Sequence, residues 1–195
     1  MKPKSKVGKE GFTLVELLAS IAVLVAVGSV IAGIITASLR GTNKTNVIEN
    51  IRENGNYALS QISRSIEYAQ AFNGLSDNGT DYTVSCRFST SPTPAPVETP
   101  YKFVKVTPSN SNSIEYSCAI STPATITSNG ASMIDTSSIV LTDCVIACVQ
   151  TRATDLPIVK VGFKLGPKKN PTGLAETSSP PILFETSITI RNYKK

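Results

Sequence analysis

From Leu17 to Leu39 the chain carries no Asp, Glu, Lys or Arg, a run of 23 residues. Wound as an α-helix at about 1.5 Å per residue, it reaches roughly 35 Å, enough to cross a hydrocarbon layer about 30 Å thick. Beyond Arg40 the pattern turns amphipathic. Val47, Ile48, Ile51, Ala58, Ile62, Ile66 and Ala69 recur at steps of three and four except across Gly55. Arg52, Glu53, Gln61, Arg64 and Glu67 fall largely between them. This is the period of a helix with one buried face. The two stretches read as one helix from about Phe12 to about Ala71, with a weak point at Gly55 and an end at Asn73-Gly74.

From Tyr82 onward Thr, Ser, Val and Ile dominate, and short alternating runs replace the helical period. The strands expected are Tyr82–Phe88, Tyr101–Thr107, Ser113–Ile120, Ile139–Leu141, Ile158–Leu165 and Ile182–Asn192. Val159, Val161 and Phe163 alternate with Lys160, Gly162 and Lys164, as in a sheet with one wet face. Proline-bearing stretches, Ser89–Pro100 and Pro167–Pro181, read as exposed extended connections. The fold class expected is therefore α+β: a long N-terminal helix whose second half packs on a β-sheet-rich head. Residues 12–40 form the membrane-spanning part, 41–72 the amphipathic continuation and 73–195 a head with one core.

Charge changes this picture at the N-terminus. Residues 1–11 form a short leader with Lys2, Lys4, Lys6 and Lys9 against Glu10. Lysines before an apolar run place the N-terminus in the cytoplasm and the head outside the membrane. Glu16 stands alone near the start of the apolar stretch. A carboxylate deep in a membrane helix is unfavourable by roughly 2.5–3.5 kcal/mol. A plain signal anchor explains the lysines and the run but gives no reason for Glu16. A cleaved secretory signal would have a shorter apolar region and small residues at its far end, which Ala37-Ser38-Leu39 only loosely imitates.

The ordered segment Gly11-Phe12-Thr13-Leu14-Val15-Glu16-Leu17-Leu18 resembles the processing motif of the prepilins of type IV pili and type II secretion systems, without a mismatch. The resemblance implies cleavage after Gly11 by a membrane prepilin peptidase on the cytoplasmic side, usually with methylation of the new Phe12 amine. It implies that Glu16 pairs with the Phe12 amine of a neighbouring subunit as helices stack into a filament. Loss of the leader removes four lysines and one glutamate, so the formal charge of +5 falls to +2. The segments Arg52–Ile66 and Phe184–Asn192 are similar to the amphipathic helix and the closing strand of minor pilins and J-type pseudopilins. Partners implied are the peptidase, other pilin or pseudopilin subunits, the assembly platform and membrane lipid. Pilins loosen their N-terminal helix near helix-breaking residues, for which Gly28 and Gly33 are the candidates.

Four cysteines, Cys86, Cys118, Cys144 and Cys148, lie in the extracytoplasmic part and suggest two disulfides, with three connectivities open. The pairing expected is Cys86–Cys118 across two strands and Cys144–Cys148 closing a local loop. The alternatives are four free thiols or a zinc site. The chain has no His, which removes Ser-His-Asp and Cys-His chemistry and every His-based metal site. No phosphate-binding glycine-rich loop occurs. The chain reads as a non-enzyme without cofactor or metal. Asp77-Asn78-Gly79-Thr80-Asp81 lacks the full spacing of a calcium loop and reads as a turn, although some pseudopilins bind calcium. Lys160, Lys164, Lys168 and Lys169 form a mild basic cluster, a solvated face or a contact for nucleic acid or an anionic surface. The functional expectation is a minor filament subunit. Its alternatives are a membrane-anchored extracellular binding module that never polymerises and a DNA-uptake subunit.

Overall fold

One helix, α1, runs from Leu14 to Glu67 without a break. The computed structural model describes residues 11–86, 99–109, 112–120, 124–150, 155–168 and 180–191. The leader lysines, the proline-rich stretch 89–98 and Lys169 lie outside these residues. The chain divides into two compact units, one ending at Asn43 and the other beginning at Lys44.

In the first unit α1 is exposed on every side, from Leu14 at 76% to Leu39 at 62%. It continues through Gly28 and Gly33 as helix. Among the described residues it is the one helix long and apolar enough to cross a membrane.

The second unit is the head. Here α1 buries Ile51, Gly55, Ala58, Ile62 and Ile66, a face at helical spacing. Val47, which the periodicity assigns to that face, is 40% exposed. The helix ends at Glu67, before the Ala71 expected from the pattern, because Gln70 N–H already donates to Thr107 O and starts a sheet. Asn73-Gly74 therefore lies inside a strand, where Gly74, at φ 121°, forms a bulge.

The strands are β1 Ala71–Ser76, β2 Thr99–Tyr101, β3 Phe103–Thr107, β4 Ile114–Ala119, β5 Thr125–Ser128, β6 Ala131–Ser132, β7 Ile139–Val149, β8 Ile158–Pro167 and β9 Ile182–Thr189. They form two antiparallel sheets, a five-stranded one ordered β1-β3-β4-β5-β6 and a four-stranded one ordered β2-β7-β8-β9. This is the expected α+β class, with corrections. Tyr101–Thr107 is two strands in different sheets. The break is Lys102, whose N–H donates to Ser76 O and whose carbonyl accepts from Cys118 N–H. Tyr82–Cys86 makes only a single bridge, Thr83 with Leu75. The short Ile139–Leu141 is the start of an eleven-residue strand. The hairpin β5–β6 turns on Asn129-Gly130, both at positive φ, the signature of a two-residue primed turn.

Several contacts fasten the helix to the sheets, among them Tyr116 Oη of β4, which donates to Ser65 Oγ at 2.6 Å. Phe184 of β9 lies over Gly55, and its ring stacks on Phe163 of β8 at 5.4 Å. On another side an asparagine ladder grips the turn before β7. Asn54 Oδ1 accepts from Asp135 N–H at 3.0 Å, and Asn50 Nδ2 donates to Ser138 Oγ at 3.2 Å. Asp135 caps that turn, accepting from Ser137 Oγ and Ser138 Oγ at 2.6 Å each. These hydroxyls, the Ser137 N–H and the Lys168 charge hold its carboxyl down at about 2, below an ordinary value of 3.8. A depressed carboxyl stabilises the fold above its unfolded value and loses that contribution as pH falls through the folded one. The difference in urea midpoint between the wild type and Asp135→Asn is expected to stay constant above about pH 4.5 and to shrink between about pH 4 and about pH 2.

Candidate functional site

Thr13 stands just before the first helical residue, and Glu16 is three places on. That is the spacing of a capping box. Glu16 N–H donates to Thr13 Oγ1 at 3.3 Å, while Glu16 Oε2 accepts from Thr13 N–H at 3.1 Å and from Thr13 Oγ1 at 3.0 Å. Two N-terminal donors that the helix cannot satisfy are thereby satisfied. The Thr-x-x-Glu spacing is a local cap signal that the sequence reading passed over; the fold also places both bonds on one carboxylate oxygen. Among the described residues Oε1 has no donor.

Three hydroxyls of the apolar half are satisfied within the helix itself. Ser20 Oγ donates to Leu17 O, Ser29 Oγ to Ala26 O and Thr36 Oγ1 to Ala32 O, each at 2.8–2.9 Å. Hydroxyls bonded back to the preceding turn need no outside partner in hydrocarbon. Glu16 is the one carboxylate on this half of the helix. Phe12 is 83% exposed, and among the described residues nothing lies within 4 Å of where a Cβ on Gly11 would stand.

The cysteines correct the expected pairing. The bonds are Cys86–Cys148, with α-carbons 5.5 Å apart, and Cys118–Cys144, at 6.0 Å. Cys144 and Cys148 share the extended strand β7, where four residues span roughly 13 Å, too far for a disulfide. Both lie on β7, and each reaches out of the four-stranded sheet. Cys144 meets β4 of the other sheet, and Cys148 meets Cys86 at the end of the turn that follows β1. No cysteine is free. Among the described residues no group of three or more metal-ligating side chains is gathered.

The turn 77–81 is knotted by Asn78. Its Oδ1 accepts from Ser76 Oγ, Thr80 N–H and Asp81 N–H, and its Nδ2 donates to Asp81 Oδ2 at 2.8 Å. The side-chain amide thus engages Asp81. Beside it Tyr82 Oη donates to Glu115 Oε2, and Lys105 sits 5.1 Å over the Tyr82 ring. Burial first, and then the hydrogen bond to Glu115, push the phenol well above its ordinary range.

The basic cluster is largely committed to the head's own contacts. Lys164 pairs with Asp143 at 2.9 Å, which holds that carboxyl below its usual range. Lys168 Nζ donates to Thr136 O at 2.9 Å. Sequence reasoning passes over Asn50, Asn54 and Asp135: the Asp135-x-Ser137-Ser138 turn is a local signal, but the bonds that join it to Asn50 and Asn54 connect residues some eighty positions apart and leave none. Compared with known protein families, curated proteins and solved structures, the chain matches none of them.

Proposed function

We propose that this chain is a structural, minor subunit of a type IV pilus-like or type II secretion-type filament. It is a single-pass membrane protein with a cytoplasmic N-terminus and an extracytoplasmic head. It is cut after Gly11 by prepilin peptidase and assembled through α1. The observation that carries this reading is Glu16: one carboxylate at the head of a helix that is otherwise uncharged to Leu39 and exposed on every side.

Peptidase hydrolysis of the Gly11–Phe12 bond releases the basic leader and leaves an ammonium on Phe12. Thr13 becomes the second residue of the mature chain, so the capping box survives the cut. It holds Glu16 through Oε2 while Oε1 accepts from the Phe12 ammonium of the next protomer. In a dry helix bundle such a pair sets register, whatever its net stabilisation. The apolar sides of α1, satisfied internally at Ser20, Ser29 and Thr36, are covered first by lipid and then by neighbouring helices. Reading the two disulfides as extracytoplasmic accords with an oxidising compartment.

Intact mass and N-terminal peptide analysis of the full chain, expressed with and without an active prepilin peptidase, tests the reading. The expected product begins at Phe12, with or without one methyl. A chain that keeps its Met1 start beside an active peptidase overturns it in favour of an anchored binding module. Glu16→Ala is expected to leave the cut unchanged and to lower recovery in sheared filaments by at least about tenfold, or about 1.4 kcal/mol of assembly free energy. Equal recovery would remove Glu16 from the mechanism.

A further inference from the structure

The two disulfides are unequally protected. Cys86 and Cys148 are 3% and 0% exposed, so both sulfurs of that bond are closed to reagent. In the other bond Cys118 is 7% exposed, and Cys144 is the one disulfide cysteine that is only partly buried. Exchange requires a thiolate to reach one sulfur along the S–S axis, so access selects both the bond and the atom attacked.

We infer that Cys118–Cys144 is a thiol-exchange site in the native head, attacked at Cys144, while Cys86–Cys148 is a structural bond. The reactant class is a small thiol or an exposed protein dithiol. An external thiolate attacks Cys144 Sγ, the Cys144–Cys118 bond breaks, and Cys118 leaves as a thiolate that takes a proton. The product is a mixed disulfide on Cys144. A second thiolate attacks the external sulfur of that mixed disulfide, giving the oxidised reagent and reduced Cys144. Two electrons pass from two external thiols to one protein disulfide. The bond lost is the one that ties β4 of the five-stranded sheet to β7 of the four-stranded sheet. The bond kept still ties β7 to the segment after β1. Opening therefore loosens the sheets from each other on one side without releasing the head. This inference does not depend on the filament reading.

The test is graded reduction of the full-length chain in detergent micelles. Samples are taken over time, quenched by acid, denatured, alkylated and mapped by peptide mass spectrometry. One arm uses glutathione and the other a reduced thioredoxin-type dithiol protein. Cys118 and Cys144 are expected to be alkylated at least about tenfold faster than Cys86 and Cys148, with a glutathione adduct trapped on Cys144 rather than Cys118. Faster reaction in the protein arm identifies a dithiol protein as the better reactant; faster reaction in the glutathione arm identifies small thiols. Equal rates for the two pairs, earlier loss of Cys86–Cys148, or an adduct on Cys118 overturns the inference. The wild-type chain suffices, so a misfolding variant cannot obscure the result.

Discussion

Gly55→Leu will unfold the head or cost it more than about 3 kcal/mol, the upper range for overpacking a close-fitted core. Mid-helix, a glycine replaced by a larger residue ordinarily gains about 1 kcal/mol of helix propensity. Here the packing reverses the sign. A Cβ at residue 55 would overlap the tip of the Phe184 ring. The ring has little room to retreat, because it stacks on Phe163, which is 1% exposed and among the most buried side chains of the head. Gly55→Ala should therefore lose about 1–3 kcal/mol. Adding Phe184→Leu, which removes the ring edge, should restore part of that loss, a coupling that reports direct contact. Urea titration of the full chain in detergent, followed by tyrosine fluorescence and circular dichroism, measures all three variants. Stabilisation by Gly55→Ala alone would mean that the helix does not approach β9 this closely.

The second large effect is expected from the disulfides. Cys86–Cys148 spans 62 residues of sequence and Cys118–Cys144 spans 26. By loop-closure entropy alone, removal of the first costs about 4 kcal/mol and of the second about 3.5 kcal/mol. Paired replacement by alanine avoids leaving a buried hydroxyl and a reshuffling thiol. A domain of this size is stable by about 5–15 kcal/mol in total, so loss of both bonds, about 7.5 kcal/mol together, should remove half or more of the head's stability. The order matters as much as the size, since the bond closing the longer loop should be the more stabilising. The urea midpoints of the two double-alanine chains, compared with the oxidised wild type, decide it. An unchanged midpoint for Cys86→Ala/Cys148→Ala would show that the sheets hold together without that staple.

Stability and protection coincide in the same disulfide. The bond expected to contribute more to stability is also the one whose two cysteines are both buried, and the bond with a partly buried cysteine closes the shorter loop. The head can thus lose its inter-sheet link at Cys144 and remain near its folded state, while reduction of the buried pair would follow unfolding.

Much of the chain is legible in the sequence because the relevant information is local. Helical period, absence of charge from Leu17 to Leu39, and the Thr13–Glu16 spacing each concern residues within a few turns of one another. They determine α1, its apolar half, its buried face from Ile51 to Ile66 and the isolated acid at its head. Alternation in Ile158–Leu165 likewise specifies β8 and its wet lysines. What only the tertiary structure decided is every relation between distant segments. The helix stops at Glu67 because Thr107 offers Gln70 a sheet bond. The strand through Tyr101–Thr107 splits at Lys102 because two neighbours claim its backbone. Cys144 and Cys148 pair with distant cysteines, on β4 and after β1, because β7 is extended and holds them too far apart to meet. Gly55, which looks like a weakness in helix propensity, is the space that Phe184 requires. Propensity and spacing act along the chain, whereas packing and hydrogen-bond satisfaction act through space, and only the folded arrangement brings those partners together.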